Sequence, residues 1–143
     1  MIFQEKDVDF SRIDWKLFEE LCFDLLLKYQ FHSLVWKQGG HDKGRDIEAL
    51  YTVTNSILGN FQERWFVECK HHKNGLKVMD IADKIEWAKA EKVNHFLLMT
   101  NSYLTPTTRE WLEKKSEDLP FRIHELNGKL LRSRILAFPD LIV

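Results

Sequence analysis

Between residues 64 and 99 the chain passes from a strand-forming segment through a helical one to a second apolar strand, and this order restricts the fold more than any other feature. Arg64-Trp65-Phe66-Val67-Glu68-Cys69-Lys70 is aromatic and β-branched, which suits a pleated, half-buried surface better than a helix. Residues 78–90 place Val78, Ile81, Ala82, Ile85 and either Trp87 or Ala88 at helical spacing on one face. Val93 to Met99 is apolar along most of its length and reads as a buried strand. A helix that links two strands of one sheet has to cross over a face of that sheet.

Upstream, Trp15, Phe18, Leu21, Cys22, Leu25, Leu26 and Tyr29 recur every three or four residues, so a helix is expected from 14 to about 30. Asp14 is its cap, with Ile13 packing on Phe18 as a hydrophobic staple. Ser33 to Lys37 reads as a strand, 39–44 as a glycine-rich turn, Arg45 to Val53 as a second strand and 55–60 as a loop. Thr105-Pro106 opens a helix through about Ser116, Phe121 to Leu126 makes a last strand, and a mixed tail follows. The predicted order is α-β-β-β-α-β-α-β: an α/β domain whose central mixed β-sheet is flanked by helices.

A chain of 143 residues is expected to form one domain over 1–143. With 44% apolar and 13% aromatic residues it has ample material for a core. The 21 basic and 22 acidic residues leave a net charge of −1, which excludes a polycation that binds nucleic acid through bulk charge. No apolar run approaches the roughly 20 residues of a membrane helix, and the amino terminus has no leader pattern, so a soluble cytoplasmic protein is expected. Cys22 and Cys69 lack disulfide or zinc spacing and read as free thiols.

In the 64–70 strand, alternation sends Phe66, Glu68 and Lys70 to one face and Trp65, Val67 and Cys69 to the other. Glu68 and Lys70 thus stand among apolar neighbours, where unpaired charge costs several kcal/mol if buried. If this strand pairs with the preceding one, Asp46 and Glu68 converge, and two such anions call for a hard divalent cation. Oxygen ligands select Mg²⁺, or Mn²⁺ in its place, over zinc, and suit phosphodiester chemistry. Lys70 would then orient the attacking water and offset charge on phosphorus. Taken singly, Asp46 also reads as a turn or cap residue, and Glu68 with Lys70 as a solvated ion pair.

Gly-Arg-Asp-Ile-Glu-Ala at 44–49, Val-Glu-Cys-Lys at 67–70 and Phe18-Glu19-Glu20-Leu21 together resemble the PD-(D/E)XK nuclease superfamily, specifically Mrr-like type IV restriction endonuclease domains. The resemblance implies a restriction-endonuclease-like three-layer domain with an αβββαβ core. It implies Asp46, Glu68 and Lys70 as catalytic residues, Asp46 and Glu68 as metal ligands, and Mg²⁺-dependent hydrolysis of DNA to a 5′-phosphate and a 3′-hydroxyl. It also implies a helical glutamate near the metal; Glu19 lies on the shoulder of the buried stripe and Glu20 on the wet side, so Glu19 is preferred. Arg45 stands where the superfamily name has proline, as in other Mrr-like domains. The expected partner is double-stranded DNA, with a homodimer, a larger oligomer or fusion to a DNA-reading or ATPase part supplying specificity and the second cut. The chain would then be the amino-terminal effector domain of a longer protein in restriction or anti-phage defence.

Lys43, Arg45, His71, His72 and Lys73 flank the site in sequence and are candidates for contacts to the DNA backbone, as are Lys37 and Lys77. Zinc at His41, Cys69, His71 and His72 is disfavoured, because Cys69 faces away from the site and no pair has ligand spacing. Thr100-Asn101-Ser102, after a buried strand, reads as a turn or a ligand contact. A catalytically inactive DNA-binding or oligomerisation module, a structure-specific resolvase and an RNA-cutting relative are the alternatives, since fold does not fix substrate.

Overall fold

Asp14 caps the first helix as predicted: its Oδ1 accepts from Leu17 N at 2.9 Å, and α1 runs Trp15–Lys28. The computed structural model describes residues 2–38 and 45–142, the side chains of Gln38 and Arg45 apart. Helix α1 ends where Gln30 turns into the left-handed region (φ 70), with Phe31 N donating back to Leu26 O at 3.1 Å. Four further helical or strand elements lead to the middle of the chain: β1 (His32–Gln38), β2 (Arg45–Asn55), β3 (Gly59–Lys70) and α2 (Val78–Ala90). The expected glycine-rich turn at 39–44, with His41, Asp42 and Lys43, lies outside the described residues.

The expected loop at 55–60 is half strand, at 55, 59 and 60. β2 and β3 form one long antiparallel hairpin with register from Asp46↔Glu68 to Asn55↔Gly59, leaving only 56–58 as its tip. Asn55 Oδ1 accepts from Ile57 N (2.8 Å) and Leu58 N (2.9 Å), and Gly59 takes φ +80, where a side chain would be strained. The distal arm is exposed, with Ile57, Leu58 and Phe61 among its solvent-facing residues, so it lacks the buried apolar alternation by which strands are recognised.

Helix α2 turns Ile81, Lys84, Ile85 and Ala88 inward and leaves Trp87 exposed, which settles the inward residue as Ala88. β4 (His95–Thr100), α3 (Pro106–Ser116) and β5 (Arg122–Leu126) follow. Thr105 caps α3 through Thr108 N at 3.3 Å. The predicted mixed tail is in fact a fourth helix, α4 (Gly128–Leu136), capped by Asn127 on Leu130 N at 3.0 Å and burying Leu131 and Ile135. Its short apolar stripe, flanked by Arg and Lys, gave too few turns for a periodic signal.

The sheet order is β1-β2-β3-β4-β5, antiparallel from β1 to β3 and parallel from β3 to β5. One core, on the α1 and α4 side, gathers Phe18, Cys22, Leu25, Ile47, Val67, Cys69, Met99 and Ile135. The other, under α2 and α3, gathers Phe66, Leu76, Ile81, Ile85, Phe96 and Leu98. The result is a mixed α/β sheet between two helical layers, the class the sequence predicts. Among the described residues no helix is long and apolar enough to cross a membrane.

Candidate active site

The hairpin register sets Asp46 directly opposite Glu68. Directly paired residues share a face, with Cβ atoms typically about 4.5–5.5 Å apart. That face looks toward α2, because Val67 and Cys69 belong to the α1 core while Phe66 belongs to the α2 core. Asp46 and Glu68 are both buried, at 5% and 1% exposure. Lys70, two residues along β3, brings Nζ within 3.6 Å of Glu68 Oε1 and remains half-buried, with its side chain 18% exposed. The adjacency of Asp46, Glu68 and Lys70 that alternation and pairing predict is therefore present.

Burial pushes the Glu68 carboxyl well above the usual carboxylate range, reinforced by its hydrogen bond to Asp46 and by the Asp46 charge, against the opposing pull of Lys70 and Lys84. As a carboxylate, Glu68 leaves its buried Oε2 without a hydrogen-bond donor. A buried oxygen of this kind costs free energy until a proton or a cation meets it. Two buried carboxylates, one with an unsatisfied oxygen, are the donor set a hard divalent cation takes, since Mg²⁺ needs only one or two carboxylates beside water and phosphate. The residues therefore fit such an ion. Among the described residues no three His, Cys, Asp or Glu side chains are grouped so as to hold one metal, so the pair would rely on water and substrate oxygens for the rest.

Glu19 is buried, at 2% exposure, and Glu20 exposed, as their helical positions predict. Yet α1 packs against the Val67 and Cys69 face, across the sheet from Glu68, and Glu19 does not join Asp46 and Glu68 in a three-carboxylate group.

Lys84, which sequence reasoning missed, completes the constellation. Its Nζ lies 3.2 Å from Asp46 Oδ2, and both side chains are 7% exposed. The available signal was its position three residues after Ile81 and four before Ala88, on the buried stripe rather than the wet face.

The candidate DNA contacts fall into three groups. His71 is turned inward: its Nε2 lies 2.9 Å from Phe10 O and its ring packs 5.3 Å from Phe18, which ties β3 to the amino-terminal segment. His72 is braced by Asn101, whose Oδ1 accepts from His72 N at 2.7 Å and whose Nδ2 donates to His72 O at 3.0 Å. Ser102 Oγ donates to Asn74 O at 2.6 Å, so the 101–102 turn shapes the segment after β3. Lys73 is exposed beside this braced segment. Lys43 and the Arg45 side chain lie outside the described residues.

Cys22 and Cys69 are free and buried, and the Cys69 thiol is pushed well above its usual pKa by its hydrogen bond with Cys22 and by burial. Holding the thiol protonated there works against its acting as a nucleophile.

The Mrr_cat restriction endonuclease family model matches residues 10–134. No curated protein matches. Among solved structures, the DNA modification-dependent restriction endonuclease AspBHI superposes with a TM-score of 0.63 at 14% identity, covering 99% of this chain and 41% of that one. The MspJI restriction endonuclease, solved in complex with a 27-mer oligonucleotide, superposes with a TM-score of 0.54 at 10% identity, over 84% of this chain and 26% of that one. The chain thus spans less than half the length of either. At these identities the superpositions establish the fold, and the family match, which runs from Phe10 in the amino-terminal segment to Arg134 in α4, establishes the lineage. The chain belongs to the Mrr_cat family of restriction endonucleases.

Proposed function

We propose that this chain is a divalent-metal-dependent endodeoxyribonuclease that hydrolyses phosphodiester bonds of double-stranded DNA in restriction or anti-phage defence. The observation that carries the reading is the buried Asp46–Glu68 pair opposed across the β2–β3 hairpin, with Lys70 3.6 Å from Glu68. Asp46 and Glu68 would hold Mg²⁺, or Mn²⁺ in its place. Such an ion supplies Lewis-acid polarisation of a phosphoryl oxygen and neutralises charge that builds in the transition state.

The protein's own contribution is position and charge. Asp46 and Glu68 are fixed by ladder pairing, so their oxygens do not have to be ordered at the moment of reaction. Lys70 sits one pleat outward with part of its side chain still open to solvent, where its ammonium orients a water against phosphorus and offsets the growing negative charge. Water adds its oxygen to phosphorus and gives up a proton, the bond to the 3′ oxygen breaks and that oxygen takes up a proton from solvent, and the products are a 5′-phosphate and a 3′-hydroxyl. Lys73 is an exposed cation beside the braced 72–74 segment and suits a backbone contact; Lys43 and Arg45 stay proposed contacts on sequence grounds. Two cuts in a duplex need two such sites or a re-binding step; a homodimer or larger assembly would supply the two sites.

The test is cleavage of supercoiled plasmid with Mg²⁺ or Mn²⁺ and with EDTA, beside Asp46→Ala, Glu68→Ala and Lys70→Ala. Nicking that needs the cation and disappears in all three folded variants supports the reading. Duplex binding without any nicking under either cation would instead support an inactive module. Modified and unmodified duplex, a four-way junction and RNA at one salt concentration then identify the substrate.

A further inference from the structure

Two buried carboxylates in this site already have two ammonium groups. Lys84 Nζ reaches Asp46 Oδ2 at 3.2 Å from α2, and Lys70 Nζ reaches Glu68 Oε1 at 3.6 Å along β3. With both carboxylates ionised, as they would be on binding a cation, the four groups sum to no formal charge, and Lys84 and Asp46 are nearly shut off from solvent. A buried ammonium is costly unless paired, and a buried carboxylate likewise, so each anchors the other. A divalent cation entering alone has to compete with Lys84 for Asp46, and it adds two positive charges to a neutral, weakly hydrated site. A DNA phosphodiester brings the negative charge that offsets them.

We propose that Lys84 is a positioning residue that occupies Asp46 as a resident counter-ion and makes divalent-cation uptake conditional on the arrival of a DNA phosphodiester. The inference rests on the reading of Asp46 and Glu68 as metal ligands. Its consequence is reciprocal: DNA tightens cation binding by the factor by which the cation tightens DNA binding. A chain gated in this way does not hold a loaded site when no DNA is present.

The test is titration calorimetry of the full chain with Ca²⁺, a hard cation that takes oxygen ligands, with and without a short DNA duplex. For the native chain, Ca²⁺ should bind weakly alone and about tenfold or more tightly with duplex, within the usual range of coupling between sites. Lys84→Met should tighten Ca²⁺ binding without DNA by about tenfold and remove most of the gain from duplex; Lys84→Arg, which keeps the charge, should behave as the native chain. Loss of the duplex-dependent gain is the readout that a merely structural lysine would not move.

If Lys84→Met does not fold in EDTA, thermal melting keeps the proposal testable. Ca²⁺ should then restore the melting temperature of Lys84→Met by more than it raises that of the native chain, and the double variant Asp46→Asn/Lys84→Met should lose this response. The proposal is overturned if Ca²⁺ affinity, or the Ca²⁺-induced melting shift, is the same or smaller in Lys84→Met while Asp46→Asn abolishes it, an outcome that leaves the metal site intact. Absence of Ca²⁺ binding in every form, with duplex present, would overturn the metal-site reading and the gate together.

Discussion

Glu68 is a carboxyl in a place where its charged form is held at a cost, opposite Asp46 and out of water. Its folded-state pKa lies above the ordinary value of 4.5, so between 4.5 and that raised value the folded chain binds more protons than the unfolded one. The metal-free protein should therefore lose stability as pH rises through this window. Glu68→Gln should remove that loss: in EDTA at neutral pH it should melt several degrees higher than the native chain, with the gap closing toward pH 4.5. Scanning calorimetry of both forms across pH checks this, and a constant gap at all pH would contradict it. Asp46, Glu68 and Lys70 were readable from sequence because a strand's period of two fixes a face without knowledge of the fold. Lys84 was not, because lysine in an amphipathic helix is by default a wet residue, and only the packed sheet shows that its stripe position ends at a carboxylate.

At the scale of elements, the hairpin and α4 show how much packing adds to local pattern. The central part of the hairpin was legible from its apolar alternation, whereas its exposed arm is held by ladder pairing to Asn55↔Gly59 that no periodicity announces. Helix α4 is maintained by Leu131 and Ile135 in the core and by the Asn127 cap. Ile135→Ala should cost about 2–5 kcal/mol in urea unfolding and Asn127→Ala about 1 kcal/mol, whereas a true tail would tolerate both. The end of the sheet away from the site carries a hydrogen-bonded chain across β3, β4 and β5, Glu63 Oε2 to His95 Nε2 (2.8 Å) and His95 Nδ1 to His124 Nε2 (2.9 Å), stacked on Trp65. Desolvation, with His95 and Arg122 nearby, lowers the His124 pKa below 6.5, so the unfolded chain takes up the proton first. Stability should fall as pH drops below 6.5, and chemical denaturation of His124→Gln should show a shallower fall over the same range.

For the whole molecule, the mixed sheet brings the β2–β3 hairpin against a crossover helix, and this gathers Asp46, Glu68 and Lys70, from two separate sequence motifs, with Lys84. The fold class followed from the strand-helix-strand order at 64–99. What joins the site from the α2 side followed only from three-dimensional packing. A net charge of −1 gives the chain little long-range attraction for DNA. Its affinity for duplex should be weak, insensitive to sequence, and shallow in its dependence on salt, with the slope of log K against log salt showing only a few phosphates neutralised, at about 0.9 per phosphate. Fluorescence anisotropy over a salt series measures this, and a steep slope would contradict it. The most direct measurement of the central claim is nicking of supercoiled plasmid by the purified chain in Mg²⁺, compared with folded Asp46→Asn and Glu68→Gln. The account predicts cation-dependent nicking by the native chain and none by either variant; undiminished nicking by both variants would contradict it.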